Sequence, residues 1–383
     1  MMPVDTSTNI PPFKPHWDLF PRVYVAPKSP FRLLDHLDGD LNKDVWSKVP
    51  WSDEFDDIRG KVDAPEGERP RPSCRTRFKA LWDDTHLYIG ALLESDFETQ
   101  AHFTERNSPI YHKDSDFEVF MDPMGDNSHY KELELNAINT IWNLMLDRPY
   151  SDGGVEHSGR IAEPGDDLFY EVYKQKTAVR VVKGKLNDPN GSATWSVEVA
   201  LSYDDILANV TDSTGLPRLG SMWRINFSRV EKNGDINWTW QPQIVWNPER
   251  RQYSGYVDMH RPDAWGYIVF GGKLDETRSV DASDPSFQPR DPSWPARLAA
   301  MNVYYAQHVY HKTNGLFASS LAQLRDLTDP SILTPFEIEI NLPSDSSTNN
   351  EFLAIVRGNP DGSVVTVTHD RYLRVESISS EVS

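Results

Sequence analysis

The chain has 383 residues, which is long enough to bury a large core and to hold more than one domain. Its 58 acidic side chains against 39 Lys and Arg give a formal net charge of -19, which argues against a nucleic-acid partner. No apolar run reaches the roughly 18–20 residues of a membrane span. The single cysteine, Cys74, excludes an intrachain disulfide and a thiolate metal cluster.

The first thirty residues are rich in proline and carry no periodic pattern, so we interpret residues 1–30 as an arm laid over the rest of the chain. The opening stretch "MMPVDTSTNIPPFKPHWDLF" lacks the basic segment and apolar segment of a secretory signal. This observation alone does not identify the cellular compartment.

Residues 31–272 alternate short apolar-polar runs with turn residues, a pattern typical of β-strands. Many short strands at near-regular spacing predict an all-β fold, an antiparallel β-sandwich. The stretch 130–147 is expected to form two strands joined by a turn, and 203–210 one helical turn. The other predicted strands are 76–84, 86–95, 116–123, 177–184, 194–202, 222–231, 237–242 and 265–270.

The last part of the chain differs in composition. Residues 273–295 are rich in Pro, Asp and Ser and predict a linker. Residues 296–383 predict a small α+β unit, in which a helix over 296–315 ends on Gly315 and precedes three strands. The expected strands are 336–342, 351–358 and 363–370.

Four segments in order, "LDGDLNKDVWSKVP", "TRFKALWDDTHLYIGALLES", "SDFEVFMDP" and "WSVEVALS", resemble the family 9 carbohydrate-binding modules over roughly residues 33–272. The segments "WRINFSRVE" and "MHRPDAWGY" are similar to an extended, stand-alone subgroup of that family. The resemblance implies a jelly-roll-like sandwich that binds sugar, often with structural calcium and usually without catalysis. It also implies an extracellular or periplasmic location.

The residues that match the sugar-binding positions of the family differ from its pattern. The family holds a terminal sugar between two Trp side chains, and the matching positions here are Tyr111 or His112, and Met259 or His260. Glu118 matches a family Glu. A family Arg two residues before an Asn is replaced by Glu134 before Asn136. We therefore do not expect the sugar clamp of the family to carry over unchanged.

One candidate site lies on the strand after Tyr130. Glu132, Glu134 and Asn136 share one face of that strand because side chains alternate, and Trp142 follows on the next strand. Carboxylates and an amide could hydrogen-bond to sugar hydroxyls. Two alternatives stay open: an acid–base pair for cleaving a glycosidic bond, which needs a separation of about 5–9 Å, or a solvated sheet face without function.

A second candidate site lies in the loop-rich segment 226–266, where "YVDMHRPDA" precedes the strand "WGYIVF". Aromatic and Arg side chains suit stacking on sugar rings and fork-like hydrogen bonding. The alternative is a structural corner held by ion pairs. The predicted binding residues of this segment are Arg229, Trp240, Trp246, His260 and Arg261.

Calcium is the cofactor that the resemblance favours. The turn "MDPMGDN" (121–127) supplies Asp122 and Asp126 as candidate oxygen ligands, although Asp is also common in turns that bind no metal. Haem is not expected, because the adjacent Met259 and His260 would point to opposite faces of a strand.

We therefore predict a non-catalytic protein whose partner is an oligo- or polysaccharide. The alternatives are a glycan-active enzyme using Glu118, Glu132 or Glu134, a haem-binding relative of the same sandwich, and a structural or partner-binding protein that acts through its tail. Neither the identity of the sugar nor the oligomeric state follows from the sequence.

Overall fold

The computed structural model describes residues 13–210, 215–274, 289–343 and 350–376. Within these residues the fold is mostly β, with two groups of strands that are each hydrogen-bonded into a sheet of their own and one hairpin. The strands are β1 (Val23–Lys28), β2 (Asp56–Asp57), β3 (Thr76–Trp82), β4 (His86–Leu93), β5 (Asp116–Asp122), β6 (Tyr130–Asn136), β7 (Ile141–Leu146), β8 (Glu156–His157), β9 (Lys176–Gly184), β10 (Ala193–Ser202), β11 (Met222–Glu231), β12 (Ile236–Thr239), β13 (Ile244–Asn247), β14 (Gln252–Gly255), β15 (Gly266–Lys273), β16 (Glu337–Asn341), β17 (Leu353–Arg357), β18 (Val364–Thr368) and β19 (Leu373–Glu376).

Helices are short apart from one. The α-helices are α1 (Lys14–Asp18), α2 (Asp44–Ser47), α3 (Gly60–Asp63), α4 (Tyr203–Ile206), α5 (Trp294–Asn314) and α6 (Pro330–Leu333). Single turns of 3-10 helix lie at Leu34–His36, Glu66–Glu68, Pro72–Cys74, Ile110–His112, Tyr150–Asp152, Pro262–Ala264 and Leu321–Leu324. No helix in the described ranges has both the length and the apolar character to cross a membrane.

The large sheet runs in the order β8-β7-β6-β5-β11-β15-β1-β3-β4-β10-β9, with β12 beside β11 and β2 beside β12. Its two halves face each other across one apolar core. Phe78 of β3 contacts Phe227 of β11 with ring centroids 3.9 Å apart, although these strands are not hydrogen-bonded neighbours. The predicted all-β antiparallel sandwich is therefore confirmed, whereas the jelly-roll-like connectivity stays a prediction.

Strand β1 joins the two halves and corrects the interpretation of residues 1–30 as an arm. It pairs in parallel with β15 from Val23 to Ala26, and its Lys28 then pairs with Trp82 of β3. The register shifts between Ala26 and Lys28, at Pro27. Proline has no N–H to donate to a sheet and is accommodated at such irregularities. The short run and its proline concealed this strand from sequence analysis.

The C-terminal residues form a unit with its own core. Strands β16, β17, β18 and β19 make an antiparallel sheet, and α5 packs on β17 and β18. Helix α5 ends at Asn314 because Gly315 takes a left-handed conformation, with φ of 74°. Strand β19 lies beyond the predicted elements. Of the predicted linker 273–295, residues 275–288 lie outside the described part of the chain.

This C-terminal unit packs against the sandwich through a buried arginine. Arg371, 2 % exposed, makes ion pairs with Asp152 at 2.8 Å and with Asp263 at 3.2 Å. Its guanidinium also lies over the ring of Tyr304 of α5, 4.9 Å from the centroid. The arginine therefore ties two loops of the sandwich to the C-terminal unit.

Candidate functional site

Four carboxyl groups lie together on the face of β5 and β6 that points away from the main core. Alternation along the strands sends Phe117, Val119, Leu133 and Leu135 into that core and the intervening acidic residues to the other face. The strand register places Glu118 directly opposite Glu134 and Phe120 opposite Glu132. We call Asp116, Glu118, Glu132 and Glu134 the carboxylate cluster.

The cluster is compact and shielded from water. One carboxylate oxygen from each of Asp116, Glu118 and Glu134 lies within 4.8 Å of the other two. All four residues of the cluster are at most 5 % exposed. Oxygens of Asp116 (Oδ2), Glu132 (Oε2) and Glu134 (Oε2) accept no hydrogen bond from described residues outside the cluster, and the Glu132 and Glu134 carboxyl groups are hydrogen-bonded to each other. Each of these oxygens therefore keeps capacity to accept a hydrogen bond from a ligand.

A second apolar cluster explains this burial. Phe120, Tyr130, Trp142, Met259 and Trp265 pack together on the same side of the sheet as the carboxyl groups. Trp265 anchors this layer, since its indole Nε1 donates to the carbonyl of Met259 at 2.8 Å. The segment before "WGYIVF" therefore covers the sheet and forms one wall of the cluster.

Burial raises the pKa of every carboxyl group in the cluster, and repulsion from neighbouring carboxyl groups adds to the rise at Asp116, Glu132 and Glu134. Removal from water raises the pKa of Glu118 to about 7, and the neighbouring Ser228 hydroxyl opposes this rise. Burial, followed by repulsion from Glu118, raises the pKa of Glu132 to about 8. The pKa values of Asp116 and Glu134 rise well above the usual range for the same two reasons.

Aromatic side chains border the cluster. The Tyr111 ring lies 4.5 Å from the Trp142 ring, and the Arg160 guanidinium lies 5.3 Å from the Trp142 centroid. Tyr150 is 46 % exposed and meets the His260 ring edge-on at 4.7 Å. We call Tyr111, Trp142 and Tyr150 the aromatic rim.

His260 connects the rim to the cluster as a neutral side chain. Its Nδ1 is 2.9 Å from the Tyr130 hydroxyl, and its Nε2 is 4.0 Å from Glu132 Oε2. Burial lowers the pKa of His260 to about 4, with Asp258 opposing the shift. At neutral pH the contact with Glu132 is therefore not an ion pair.

The structure brings together five of the residues predicted from the sequence: Tyr111, Glu118, Glu134, Trp142 and His260. His112 belongs to the same 3-10 helix as Tyr111, but its side chain lies outside the described part of the structure. Whether a sugar contacts any of these residues stays a prediction.

Asn136 is adjacent to the cluster but is occupied by its own turn. Its side-chain nitrogen donates to Phe103 O at 2.9 Å and to Asp114 Oδ2 at 2.7 Å. Its side-chain oxygen accepts from the backbone nitrogens of Ile138 and Thr140. The amide therefore shapes the β6–β7 turn and leaves no group aimed at a ligand.

Arg229 and Trp240 lie inside the sandwich, which corrects their prediction as groove residues. Arg229 is fully buried and pairs with the equally buried Glu231 at 2.7 Å. Trp240 is 1 % exposed and contacts the ring of Phe78 at 5.2 Å. Alternation on β11 sends Arg229 to the core face, opposite to Ser228 and the cluster.

Trp246 and Arg261 face the C-terminal unit, which likewise corrects their assignment to the groove. The Trp246 indole donates to Leu327 O at 2.8 Å. Arg261 Nη1 donates to the Tyr305 hydroxyl of α5 at 3.5 Å, and its guanidinium also lies 4.3 Å from the Tyr256 ring centroid. Both side chains are part of the contact between the two units.

The predicted calcium turn is accounted for by hydrogen bonds. Asp122 accepts from the backbone nitrogens of Gly125 and Asn127, both at 2.8 Å, and Asp126 accepts from Ser128 N at 2.9 Å. The positive charges of Arg297 and Lys131 also act on Asp126. Calcium at this turn stays a prediction, and the turn requires none for its shape.

Sequence reasoning missed Asp116, Ser228 and Tyr150. Asp116 lies two residues before Glu118 and therefore on the same strand face, which the pattern "DFEVF" already indicates. Ser228 reaches the cluster only because β11 pairs with β5 in a register that places it opposite Glu118. The sequence of neither strand alone predicts that register.

Residues 37–144 match the model of the family described as "Carbohydrate family 9 binding domain-like". This range includes the cluster and two of the three rim residues, Tyr111 and Trp142. A comparison with curated protein sequences gave no match.

Solved structures show a distant likeness. A candidate carbohydrate-binding protein from Bacteroides uniformis is similar over 65 % of this chain and 99 % of its own, with 13 % identity and a TM-score of 0.46. A family 9 carbohydrate-binding module from Caldicellulosiruptor kristjanssonii in complex with cellotriose is similar over 71 % and 100 %, with 15 % identity and a TM-score of 0.37. The same kind of module in complex with glucose is similar over 66 % and 97 %, with 14 % identity and a TM-score of 0.37.

Proposed function

We propose that this protein, whose residues 37–144 match the family 9-like model, binds carbohydrate without cleaving it. The proposed site is the carboxylate cluster and its aromatic rim. The observation that carries the proposal is the set of hydrogen-bond acceptors without partners outside the cluster. Glu132 Oε2 and Glu134 Oε2 are buried and accept no hydrogen bond from described residues outside the cluster, so their only partners are each other's carboxyl groups. A buried acceptor without a donor is costly unless a ligand supplies one, and sugar hydroxyls are donors.

The rim supplies the apolar half of the site. Sugar rings have flat faces of C–H groups that stack on aromatic side chains, and Tyr150 and Tyr111 offer such faces beside the acceptors. The Trp142 indole nitrogen has no hydrogen-bond partner among the described side chains and backbone, so it is a further donor for a sugar oxygen. Stacking and hydrogen bonding therefore converge on one place.

The charged groups at the site favour a neutral sugar over an anionic one. No Lys or Arg in the described ranges forms an ion pair with the cluster, and Arg229 and Arg261 are held elsewhere. The Arg160 guanidinium beside Trp142 is paired with Glu156, so an anionic sugar would find no unpaired cation among the described residues next to the four carboxyl groups. The preferred ligand is therefore a neutral oligosaccharide rather than a uronic-acid or sulfated one.

The proposal is tested by calorimetric titration of neutral oligosaccharides after a glycan-array screen. Tyr111→Ala and Tyr150→Ala are each expected to weaken binding at least about tenfold, which corresponds to about 1.4 kcal/mol. Trp51→Ala is the matched control, since Trp51 lies under Arg77 and Lys79, away from the cluster. Equal weakening by the control, or binding of uronic-acid oligomers only, contradicts the proposed site.

One observation favours a second candidate function, glycoside hydrolysis. Paired carboxyl groups with raised pKa values, such as Glu118 at about 7, are the arrangement of an acid–base catalyst. Chromogenic and natural glycans discriminate the two functions. Hydrolysis that Glu134→Gln abolishes would establish an enzyme, and binding without turnover supports the non-catalytic function.

A further inference from the structure

We infer that a cavity between the sandwich and the C-terminal unit binds a small aromatic monocarboxylate of the size of benzoate. The cavity has a volume of about 180 Å³ and is lined on one side by residues of β11, β13, β14 and the Pro262–Ala264 turn, and on the other side by α5 and β19. It reaches the surface at the end of α1, where Asp18 is exposed. No residue of the carboxylate cluster or of the aromatic rim lines it, so this site is independent of the proposed sugar site.

The size and the walls of the cavity suit one aromatic ring. Its apolar lining includes Trp246, Trp294, Leu298, Met301 and Leu373. An engineered apolar cavity of about 150 Å³ in another protein stays dry and binds benzene, so 180 Å³ has room for a ring with one small substituent. The two indole rings in the lining favour an aromatic ligand over an aliphatic one of equal volume, because paired aromatic rings attract each other beyond the burial of apolar area.

Arg224 supplies the polar group that a carboxylate would contact. This residue lines the cavity and is 4 % exposed. Its Nε donates to Pro262 O at 3.2 Å and its Nη2 donates to Asp263 O, whereas its Nη1 has no hydrogen-bond partner among the described residues. A buried donor without an acceptor is costly. A carboxylate oxygen in the cavity would satisfy Nη1 with a charge-assisted hydrogen bond.

Arg224 also differs from the other buried arginines of the described chain. Arg229 pairs with Glu231 at 2.7 Å, and Arg371 pairs with two aspartates. Arg224 forms no ion pair with a described carboxylate, and its guanidinium lies over the ring of Tyr267, 4.5 Å from the centroid. A buried cation without a carboxylate partner is unfavourable, so an anion from outside the chain is the partner that the other two arginines lead us to expect.

Two carboxylates of the chain lie near Arg224, and other groups engage both. Asp122 lies opposite Arg224 in the β5–β11 pairing and attracts it, but each of its two oxygens accepts from a backbone nitrogen of the following turn at 2.8 Å. The carboxylate of Asp263 accepts from the Tyr305 hydroxyl at 2.7 Å and pairs with Arg371. The Nη1 of Arg224 is therefore left for a ligand.

The inference is tested first on the unaltered full chain by calorimetric titration with sodium benzoate and, separately, with benzamide. Benzamide has the same ring and nearly the same shape but carries no charge. The wild type is expected to bind one benzoate per chain, at least tenfold more tightly than benzamide. No binding of benzoate at millimolar concentrations, or equal affinity for benzamide, overturns the inference. This comparison needs no variant and does not depend on whether any variant folds.

Two substitutions then test the position of the site. Arg224→Lys keeps the positive charge but removes Nη1, and it is expected to weaken benzoate binding at least tenfold. Ala264→Leu leaves Arg224 in place and fills part of the cavity, because Ala264 is in its lining, and it is expected to abolish binding. Arg357→Lys is the matched control, since Arg357 lies on β17 and pairs with Glu339 at 2.9 Å. Unchanged affinity in Arg224→Lys or in Ala264→Leu contradicts the assignment.

A crystal structure with 4-bromobenzoate locates the ligand, because bromine scatters X-rays anomalously. The ring is expected between α5 and β13, with a carboxylate oxygen within hydrogen-bond distance of Arg224 Nη1. Bromine outside the cavity, or a water molecule as the only partner of Nη1, overturns the inference. Sugar binding at the carboxylate cluster is measured separately, so either site can fail while the other holds.

Discussion

At the scale of single residues, the most informative feature is a glutamate facing a glutamate. Like charges directly opposite each other across a strand pair destabilise a sheet, so the facing Glu118 and Glu134 resist joint ionisation, and repulsion from Glu118 raises the pKa of Glu134. A conflict of this kind inside a well-packed fold indicates a site rather than a scaffold. The same reasoning does not apply to Glu231, because its arginine resolves the conflict.

Arg371 is predicted to hold the site in shape from the C-terminal unit. It pairs with Asp152 and Asp263 and donates to Ser151 Oγ at 3.1 Å, and Ser151 follows Tyr150 of the rim. Arg371→Met leaves two buried carboxylates without a partner, so we expect unfolding free energy to fall by about 3–5 kcal/mol.

Chemical denaturation measures this effect, and sugar titration measures its consequence for the rim. Arg374→Met is the control, since Arg374 is well exposed and pairs with Glu376 at 3.4 Å. The control should change stability by less than about 1 kcal/mol. Comparable losses of unfolding free energy in both variants would show that the buried ion pairs of Arg371 stabilise the fold no more than an exposed pair does.

His16 is predicted to make stability depend on pH. Burial lowers the pKa of His16, whose Nε2 lies 2.8 Å from Ile332 O. The fold therefore prefers the neutral ring, and its contribution is complete above the unfolded pKa of about 6.5 and lost as pH falls. Between pH 7.5 and 5, the stability advantage of the wild type over His16→Gln should shrink, by up to about 1.4 kcal/mol per pH unit. A constant difference across this range would contradict the assignment.

At the scale of elements, the end of α5 offers a clean test of local backbone preference. Gly315 has φ of 74° and open space where a Cβ would be added. Gly315→Ala should therefore cost about 1 kcal/mol from backbone strain alone. Gly67 also has open space and no such φ, so Gly67→Ala should be neutral or slightly stabilising. Equal effects, measured by chemical denaturation, would contradict this account of the helix end.

Elements with a regular pattern were predictable from sequence, and those defined by pairing were not. The hairpin of β3 and β4 follows from alternation around "DDT", and α5 follows from its apolar spacing and its final glycine. Strand β1 was missed because it is short, contains Pro27 and gains its place only by pairing with β15.

The sequence predicted only part of the candidate site, because it shows the alternation along a strand but not how strands pair. Alternation alone places Glu132, Glu134 and Asn136 on one face, but it does not say whether that face meets water. The covering layer comes from distant residues, such as Met259 and Trp265. Arg229 and Trp240 were assigned to a groove because their residue types suit sugar binding. The face on which each lies is fixed by pairing and packing, not by residue type.

At the scale of the whole molecule, the two units and the N-terminal helix form one connected structure around the site. The Trp294 indole of α5 donates to His16 O at 2.8 Å, and Phe20 stacks on Tyr267 of β15. Arg371 links the C-terminal sheet to the loops beside the cluster. The C-terminal unit therefore supports the site that the sandwich carries.

The most direct test of sugar binding at the cluster is a crystal structure of the protein with a neutral oligosaccharide from the array screen, grown with Ca²⁺. The account predicts a sugar ring against Tyr111 or Tyr150, with hydroxyls donating to Glu132 and Glu134. A sugar bound at Trp51, or between the sandwich and the C-terminal unit, with the cluster untouched, would contradict it.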